Sequence, residues 1–403
     1  MSNSNSALSS RNFRLYLFGN VLSVLGVWIQ RLALGWHAWE LSQSALVVGL
    51  IAAAQFMPLI VLTPFFGVLV DRMNIRLAAI AMHFLLTAVA TALALLTLSG
   101  NMTIEWLCGL ALAHGIANSA YSPVRLSLIP NLVRKVQFQS AVGIASTSFN
   151  VSRFIGPGIA GAIVALYGLG WAYAINAITY LPTIFVLAII RIDDKSGTDK
   201  SKKPYLEQLR EGLRYTLDHT QIRNILLLAG VSNFFGRGIL ELMPAFAALI
   251  FAGGSSVLAA LMAASGVGAI IASLMFAFGA FKNQLHAVVA VGSIGVALSM
   301  AFFGETESLI AGSLVVLMLS LFASLVSIGS QTEVQMLVEN RLRGRVMSLW
   351  TLVIMGGPAI GSVVAGAIAE DIGARLMSYI FSGACLLLTL WVGLKRPTGR
   401  AQA

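Results

Sequence analysis

Four ionisable residues stand inside long apolar stretches of this chain: Arg31, Arg153, Arg237 and Glu241. In hydrocarbon each costs a few kcal/mol at least, so such a side chain usually faces a cavity, a partner or water. Arg237 and Glu241 lie four residues apart, which puts them on one helix face and within reach of each other; Asn233 and Pro244 extend that face. Asn20, Ser23 and Arg31, with Gln30 beside them, fall on one side of a second helix, and Asn150 and Arg153 on one side of a third. A substrate cavity built from Asn20, Gln30, Arg31, Asn150, Arg153, Asn233 and Arg237 is therefore expected. Three arginines against one glutamate would make it positive and suited to an anion. Glu241 is the candidate proton carrier, because burial raises a carboxylate's proton affinity while a nearby arginine lowers it. A static salt bridge with Arg237 is the plainer alternative.

Other chemistries find no support. The chain has no phosphate-cradling GxxxxGK[ST] loop, no nucleophile beside a base and no spaced metal-ligand cluster. No metal, cofactor or enzymatic activity is expected. Cys108 and Cys385 both fall in apolar runs and read as packing residues. His37, His83 and His114 read as packing or hydrogen-bonding residues of the same kind.

The elements that must hold these residues follow from composition. A chain of 403 residues, 58% hydrophobic and 10% charged, has too few charges to cover a soluble globule. Its solvent is lipid. Crossing a bilayer core of about 30 Å takes about 20 mostly apolar helical residues, and twelve such runs occur. They are Leu15 to Trp39, Ala45 to Val70, Leu77 to Leu98, Ile104 to Tyr121, Phe138 to Tyr167, Trp171 to Ile190, Ile222 to Phe251, Val257 to Phe281, Ala287 to Phe303, Leu309 to Gln331, Val346 to Ile368 and Arg375 to Gly393. Continuous apolarity excludes the alternating pattern of a membrane β-barrel.

The polar opening Met1 to Ser10 lacks a cleavable leader's pattern, so the first span is expected to insert uncleaved. A net charge of +10 could suggest nucleic acid, but the basic residues cluster in alternate loops, as the positive-inside rule requires. Arg125 and Arg134 belong to that basic set. Both termini are then cytoplasmic, and nucleic acid is not an expected partner. The hydrophilic break Arg191 to Gln221 divides the spans six and six, giving bundles over 1–190 and 222–403 joined by a cytoplasmic linker over 191–221. Leu206, Leu209, Leu213 and Leu217 recur there at helical spacing, as in a helix lying on the membrane face. GPGIAG from Gly156 and GPAIG from Gly357 occupy the fifth span of each half. Such internal repeats are common in transporters, which bind substrate near the midplane where the halves meet.

After the second span the chain reads GVLVDRMNIR, Gly67 to Arg76. This resembles the signature of the major facilitator superfamily, matched at Gly67, Asp71, Arg72 and Arg76, with Asn74 and Ile75 departing from it. The resemblance implies an all-α membrane fold of twelve helices in two pseudo-symmetric bundles, and a gating role for those charges. Arg153-Phe-Ile-Gly-Pro-Gly-Ile-Ala-Gly resembles the glycine-proline turn of facilitator exporters, with Gly156, Pro157 and Gly161, and by repetition Gly357 and Pro358, as helix-bending positions. QRLALGWHAWELSQSALVVGL, SPVRLSLIPNLV and RGRVMSLWTLV are similar to the enterobactin-exporter branch, the transmembrane secretion effector type. The fourth span lacks the arginine that many proton-driven drug exporters carry there.

The expected function is secondary active export of a small amphipathic, anionic molecule, siderophore-like or drug-like, by alternating access as a proton antiporter. The protein would sit in a bacterial inner membrane as a monomer, with protons and lipid as its other partners, and efflux could confer multidrug resistance. An importer or uniporter of the same fold stays open, as does a non-transporting receptor or scaffold. Glu333, near the end of the tenth span, is expected to form a cytoplasmic latch with Arg341 to Arg345.

Overall fold

In the computed structural model, residues 6–70, 73–190, 205–281 and 284–394 are described, and no strand occurs among them. The helices are α1 (Arg11–Ser42), α2 (Ala45–Val70), α3 (Ile75–Leu98), α4 (Ile104–Leu132), α5 (Phe138–Tyr167), α6 (Leu169–Ile189), α7 (Tyr205–Asp218), α8 (Thr220–Ser232), α9 (Gly238–Glu241), α10 (Met243–Leu249), α11 (Ser255–Ala277), α12 (Leu285–Glu305), α13 (Leu309–Leu337), α14 (Asn340–Ile372) and α15 (Ala374–Leu394). A π-helical turn over Asn233–Arg237 joins α8 to α9.

Ten of these helices are long and apolar enough to cross a membrane, and the bent pair Thr220–Glu241 and Met243–Leu249 makes an eleventh. The fourth expected span is helical as well, but it differs in length. It continues past Tyr121 to Leu132 as part of a 29-residue helix, and Glu105, His114, Asn118 and Arg125 lower its hydropathy. Large apolar side chains such as Phe18, Phe84, Phe185, Phe278, Ile310 and Leu387 point outward. Water would penalise that surface, whereas acyl chains do not. The protein is a multi-pass membrane protein.

Local chemistry sets the helix ends. The side chains of Ser10, Asn74, Thr103 and Ser308 each accept a hydrogen bond from the third residue of the helix that follows, satisfying an amide the helix cannot. A single glycine with positive φ joins α5 to α6 (Gly168, +86°) and again α14 to α15 (Gly373, +89°). Only glycine adopts that backbone without strain, so the same turn chemistry recurs at both junctions.

The chain gathers into two compact units, one of Met1–Ser201 with Gly253–Ala263, the other of Lys202–Ala252 with Ala264–Ala403. In the first unit the α1–α6 seam is polar. Gly19 and Gly26 let α6 come close, since an added Cβ would meet Thr183 and Thr179 respectively. Ser23 Oγ and Thr183 Oγ1 lie 2.7 Å apart, and Asn176 Nδ2 donates to Gln30 Oε1 at 2.6 Å. Small residues and interhelical hydrogen bonds are how helices associate where lipid removes the hydrophobic drive.

In the second unit α7 packs on α14 through Gly212, where an added Cβ would sit 2.9 Å from the Arg345 carbonyl oxygen, and through an ion pair between Glu211 and Arg345. Leu213 and Leu217, half of the expected apolar stripe, stay exposed. Residues 191–204 of the expected linker lie outside the described residues.

Candidate functional site

In the first unit α1, α4 and α5 line an open cavity of about 340 Å³ whose walls include Tyr16, Asn20, Arg125, Phe138, Phe149 and Asn150. Its volume is at the low end for small-ligand pockets. Asn20 Oδ1 accepts from Tyr16 Oη at 3.2 Å, and Asn150 Nδ2 donates to the Ser146 carbonyl at 3.1 Å. Asn20 and Asn150 thus share one cavity. Arg125 joins them only because α4 runs beyond Tyr121; read from sequence, it belonged to a cytoplasmic loop.

Phe149 links this cavity to a cationic cluster. It meets Trp28 edge-on, ring centroids 5.7 Å apart at 65°. Over the Trp28 ring lie the guanidinium carbons of Arg31, at 5.1 Å, and of Arg153, at 5.7 Å, and Arg31 also sits 4.9 Å from the Phe56 ring. An indole face attracts cations through its quadrupole, so one ring offsets part of the repulsion between two arginines. Trp28 is 8% exposed, and its Nε1 is buried without a hydrogen-bond partner among the described residues. Two cations and a spare N–H donor around one ring form a setting for an acceptor-rich anion.

The glycine-proline motif explains how α5 reaches Trp28. At Gly156 an added Cβ would come 2.5 Å from Trp28 Cβ, and at Gly161 it would collide with Ala259. Pro157 and Pro358 lie inside the unbroken helices α5 and α14. A bend of 54° falls between Thr220–Glu241 and Met243–Leu249, where Pro244 sits in the first turn of α10.

Arg237 and Glu241 occupy that bent span in the second unit. Arg237 closes the π turn and Glu241 ends α9; both are half-buried. π turns within α-helices are often found at functional sites. The α14 glycines fit against this one. A Cβ at Gly357 would lie 2.9 Å from the Phe234 amide nitrogen, one at Gly361 would collide with the Phe234 carbonyl, and one at Gly238 would lie 2.8 Å from the Gly361 carbonyl carbon. Backbone meets backbone here, so GPAIG seats the π turn as GPGIAG seats Trp28.

Besides Arg237, two more expected cavity residues sit elsewhere. Gln30, 1% exposed, is in the α1–α6 seam with Asn176, and Asn233, fully buried, turns back on its own helix to donate to the Ala229 carbonyl at 2.8 Å. Helical periodicity groups residues by side without saying which neighbour that side meets. Asp71 and Arg72 of the gating motif lie outside the described residues, and Gly67 is in open space near the end of α2. Arg76 donates from Nε to the Leu187 carbonyl at 2.6 Å and from a terminal nitrogen to the Ala188 carbonyl, closing the end of α6. Glu333 meets His286 and Gln221, while Arg345 of its expected latch pairs with Glu211. His37 lies 3.2 Å from Tyr173 Oη, His83 Nδ1 lies 2.8 Å from the Ala79 carbonyl, and His114 lies 3.2 Å from Asn118 Nδ2. Among the described residues no group of three or more His, Cys, Asp or Glu could hold a metal.

Comparison with known proteins gives the family. A model described as "Transmembrane secretion effector" matches residues 2–402. The staphyloferrin A transporter of Staphylococcus aureus is 26% identical over 65% of this chain and 66% of its own length. Macrolide efflux protein A of Streptococcus pyogenes is 20% identical over 92% of both chains, and the enterobactin exporter EntS of Escherichia coli O1:K1 / APEC is 26% identical over 67% of this chain and 65% of its own. Among solved structures, a bacterial homologue of the lysosomal transporter Spinster superposes with a TM-score of 0.76 over 95% of this chain and 97% of its own at 15% identity. The nucleoside transporter NupG does so with 0.75 over 94% and 99% at 12% identity. With this match along almost its full length, the chain belongs to the transmembrane secretion effector family of major facilitator transporters.

Proposed function

We propose that this transporter exports a small amphipathic anion from the bacterial cytoplasm in exchange for protons, by alternating access. The observation that carries the reading is Trp28, with Arg31 and Arg153 over its ring and Phe149 connecting it to the cavity that holds Asn20, Arg125 and Asn150. An aromatic or acyl body fits the apolar walls, and carboxylate or phenolate oxygens fit the guanidinium groups. Relatives are named for staphyloferrin A transport, macrolide efflux and enterobactin export.

Glu241 is the proton carrier in this reading, in a bent span where a change of charge can act on helix geometry. Asp71, Arg72 and Arg76 act at the gate beside Gly67. The chain lies in the inner membrane as a monomer with both termini cytoplasmic, as its basic loops favour. Inverted membrane vesicles test the proposal: with an inside-acid gradient they accumulate a catecholate siderophore or a macrolide above vesicles lacking the protein. No gradient-dependent accumulation of either probe sinks it.

A further inference from the structure

Glu333, in the last turns of α13, is the one Asp or Glu among the described residues that is less than a tenth exposed. Its neighbours are an imidazole and an amide. Oε1 lies 3.5 Å from His286 Nδ1 in the first turn of α12 and 3.4 Å from Gln221 Nε2 in the first turn of α8. Oε2 is buried without a hydrogen-bond partner among the described residues. An ionised carboxylate in that setting carries a desolvation cost that one amide donor does not offset. A proton removes the cost in either of two ways, by neutralising the carboxyl or by turning the imidazole into a charge-assisted donor. Such a proton belongs to the pair rather than to either residue.

We propose that His286 and Glu333, with Gln221 as a fixed donor, form a one-proton binding site in the second unit, separate from Glu241. The His286 side chain is 51% exposed, so it takes the proton from water and the pair gains one positive charge. Four other ionisable groups on the elements packed here have partners of their own. Arg223 of α8 donates to the Leu217 carbonyl, His219 stacks on Tyr215 and lies 2.8 Å from its carbonyl, Arg343 of α14 donates to the Val338 carbonyl, and Arg345 pairs with Glu211. Lys282 and the side chain of Arg341 lie outside the described residues. The site ties the first turn of α8 to α12 and α13, and α8 leads directly into the π turn that carries Arg237. Protonation therefore acts on the near end of the bent span.

Proton binding can be read without any substrate, so this inference stands or falls apart from the export reading. Proton uptake and infrared difference spectra of the detergent-solubilised full chain, taken between about pH 9 and about pH 5, should show a carboxyl or imidazole signal. Glu333→Gln should displace that signal, because the imidazole left behind loses its carboxylate partner. His286→Asn, at a half-exposed position that tolerates change, should remove or displace it, and Glu241→Gln should keep it. Wild-type spectra from both His286→Asn and Glu333→Gln overturn the proposal. If Glu333→Gln does not fold, an unchanged His286→Asn spectrum overturns it alone.

Discussion

Arg31 on α1 and Arg153 on α5 hold their guanidinium carbons over one ring, that of Trp28, at 5.1 and 5.7 Å from its centroid. Two like charges converge only where something between them is attractive to both. The indole face supplies part of that attraction. Gly156 permits the approach, because any side chain there would displace the ring.

Replacing the ring should therefore weaken anion binding more than it disturbs the fold. Each cation–π contact is worth about 0.5–2 kcal/mol, so Trp28→Leu, which removes both, should raise the half-saturating concentration of an anionic probe by roughly fivefold or more. Trp28→Phe keeps a smaller quadrupole and should fall between. Uptake into inverted vesicles at graded probe concentration reads this directly. An unchanged half-saturation value in Trp28→Leu would remove the ring from recognition.

The two glycine motifs make a sharper test of packing. Gly361→Ala puts a methyl group into the Phe234 carbonyl, and overpacking of this kind costs about 1–3 kcal/mol. Gly158→Ala, in the corresponding motif of α5, meets nothing within 4 Å and should stay within about 0.5 kcal/mol of wild type. Thermal unfolding in detergent should show a lowered midpoint for the first and not the second. Equal midpoints would mean that α14 can move away from the π turn at little cost.

Much of this fold is legible because lipid forces each span to be long and apolar. The fourth span shows where that signal fades. The expected span ends at Tyr121, yet the helix continues through Pro123, Arg125 and Pro130, so Arg125 was placed in a loop and missed at the cavity. The π turn had no signal of its own, since no residue type demands the i→i+5 pattern. Spacing grouped Asn20 with Ser23 on one side of its helix, and of that pair only Asn20 lines the cavity with Asn150. It could not tell that Gln30 meets α6, because Asn176, its partner, is 146 residues away.

That partnership separates stability from transport. Gln30→Met leaves the fully buried Asn176 without its 2.6 Å acceptor, which should cost about 1–3 kcal/mol. The double change Gln30→Met with Asn176→Leu, which leaves neither group stranded, should recover part of the loss, a non-additivity expected of residues in contact. Probe half-saturation should match wild type in both. A shifted half-saturation value at unchanged thermal stability would return Gln30 to the cavity.

Arg76 raises the opposite question, since the family resemblance makes it a gating residue while its two donors close α6 at Leu187 and Ala188. The last carbonyls of a helix have no partner within it, and a guanidinium supplies two donors where an ammonium acts as a point charge. Arg76→Ala should lower stability by about 1.5–3 kcal/mol, the range for hydrogen bonds to charged groups, with the lower end favoured by its partial exposure. Arg76→Lys should recover less than half of that. Thermal midpoint and transport per folded molecule, measured on the same preparations, divide the roles. A lowered midpoint with normal turnover makes Arg76 a cap that joins α3 to α6, and an unchanged midpoint with reduced turnover makes it part of the gate.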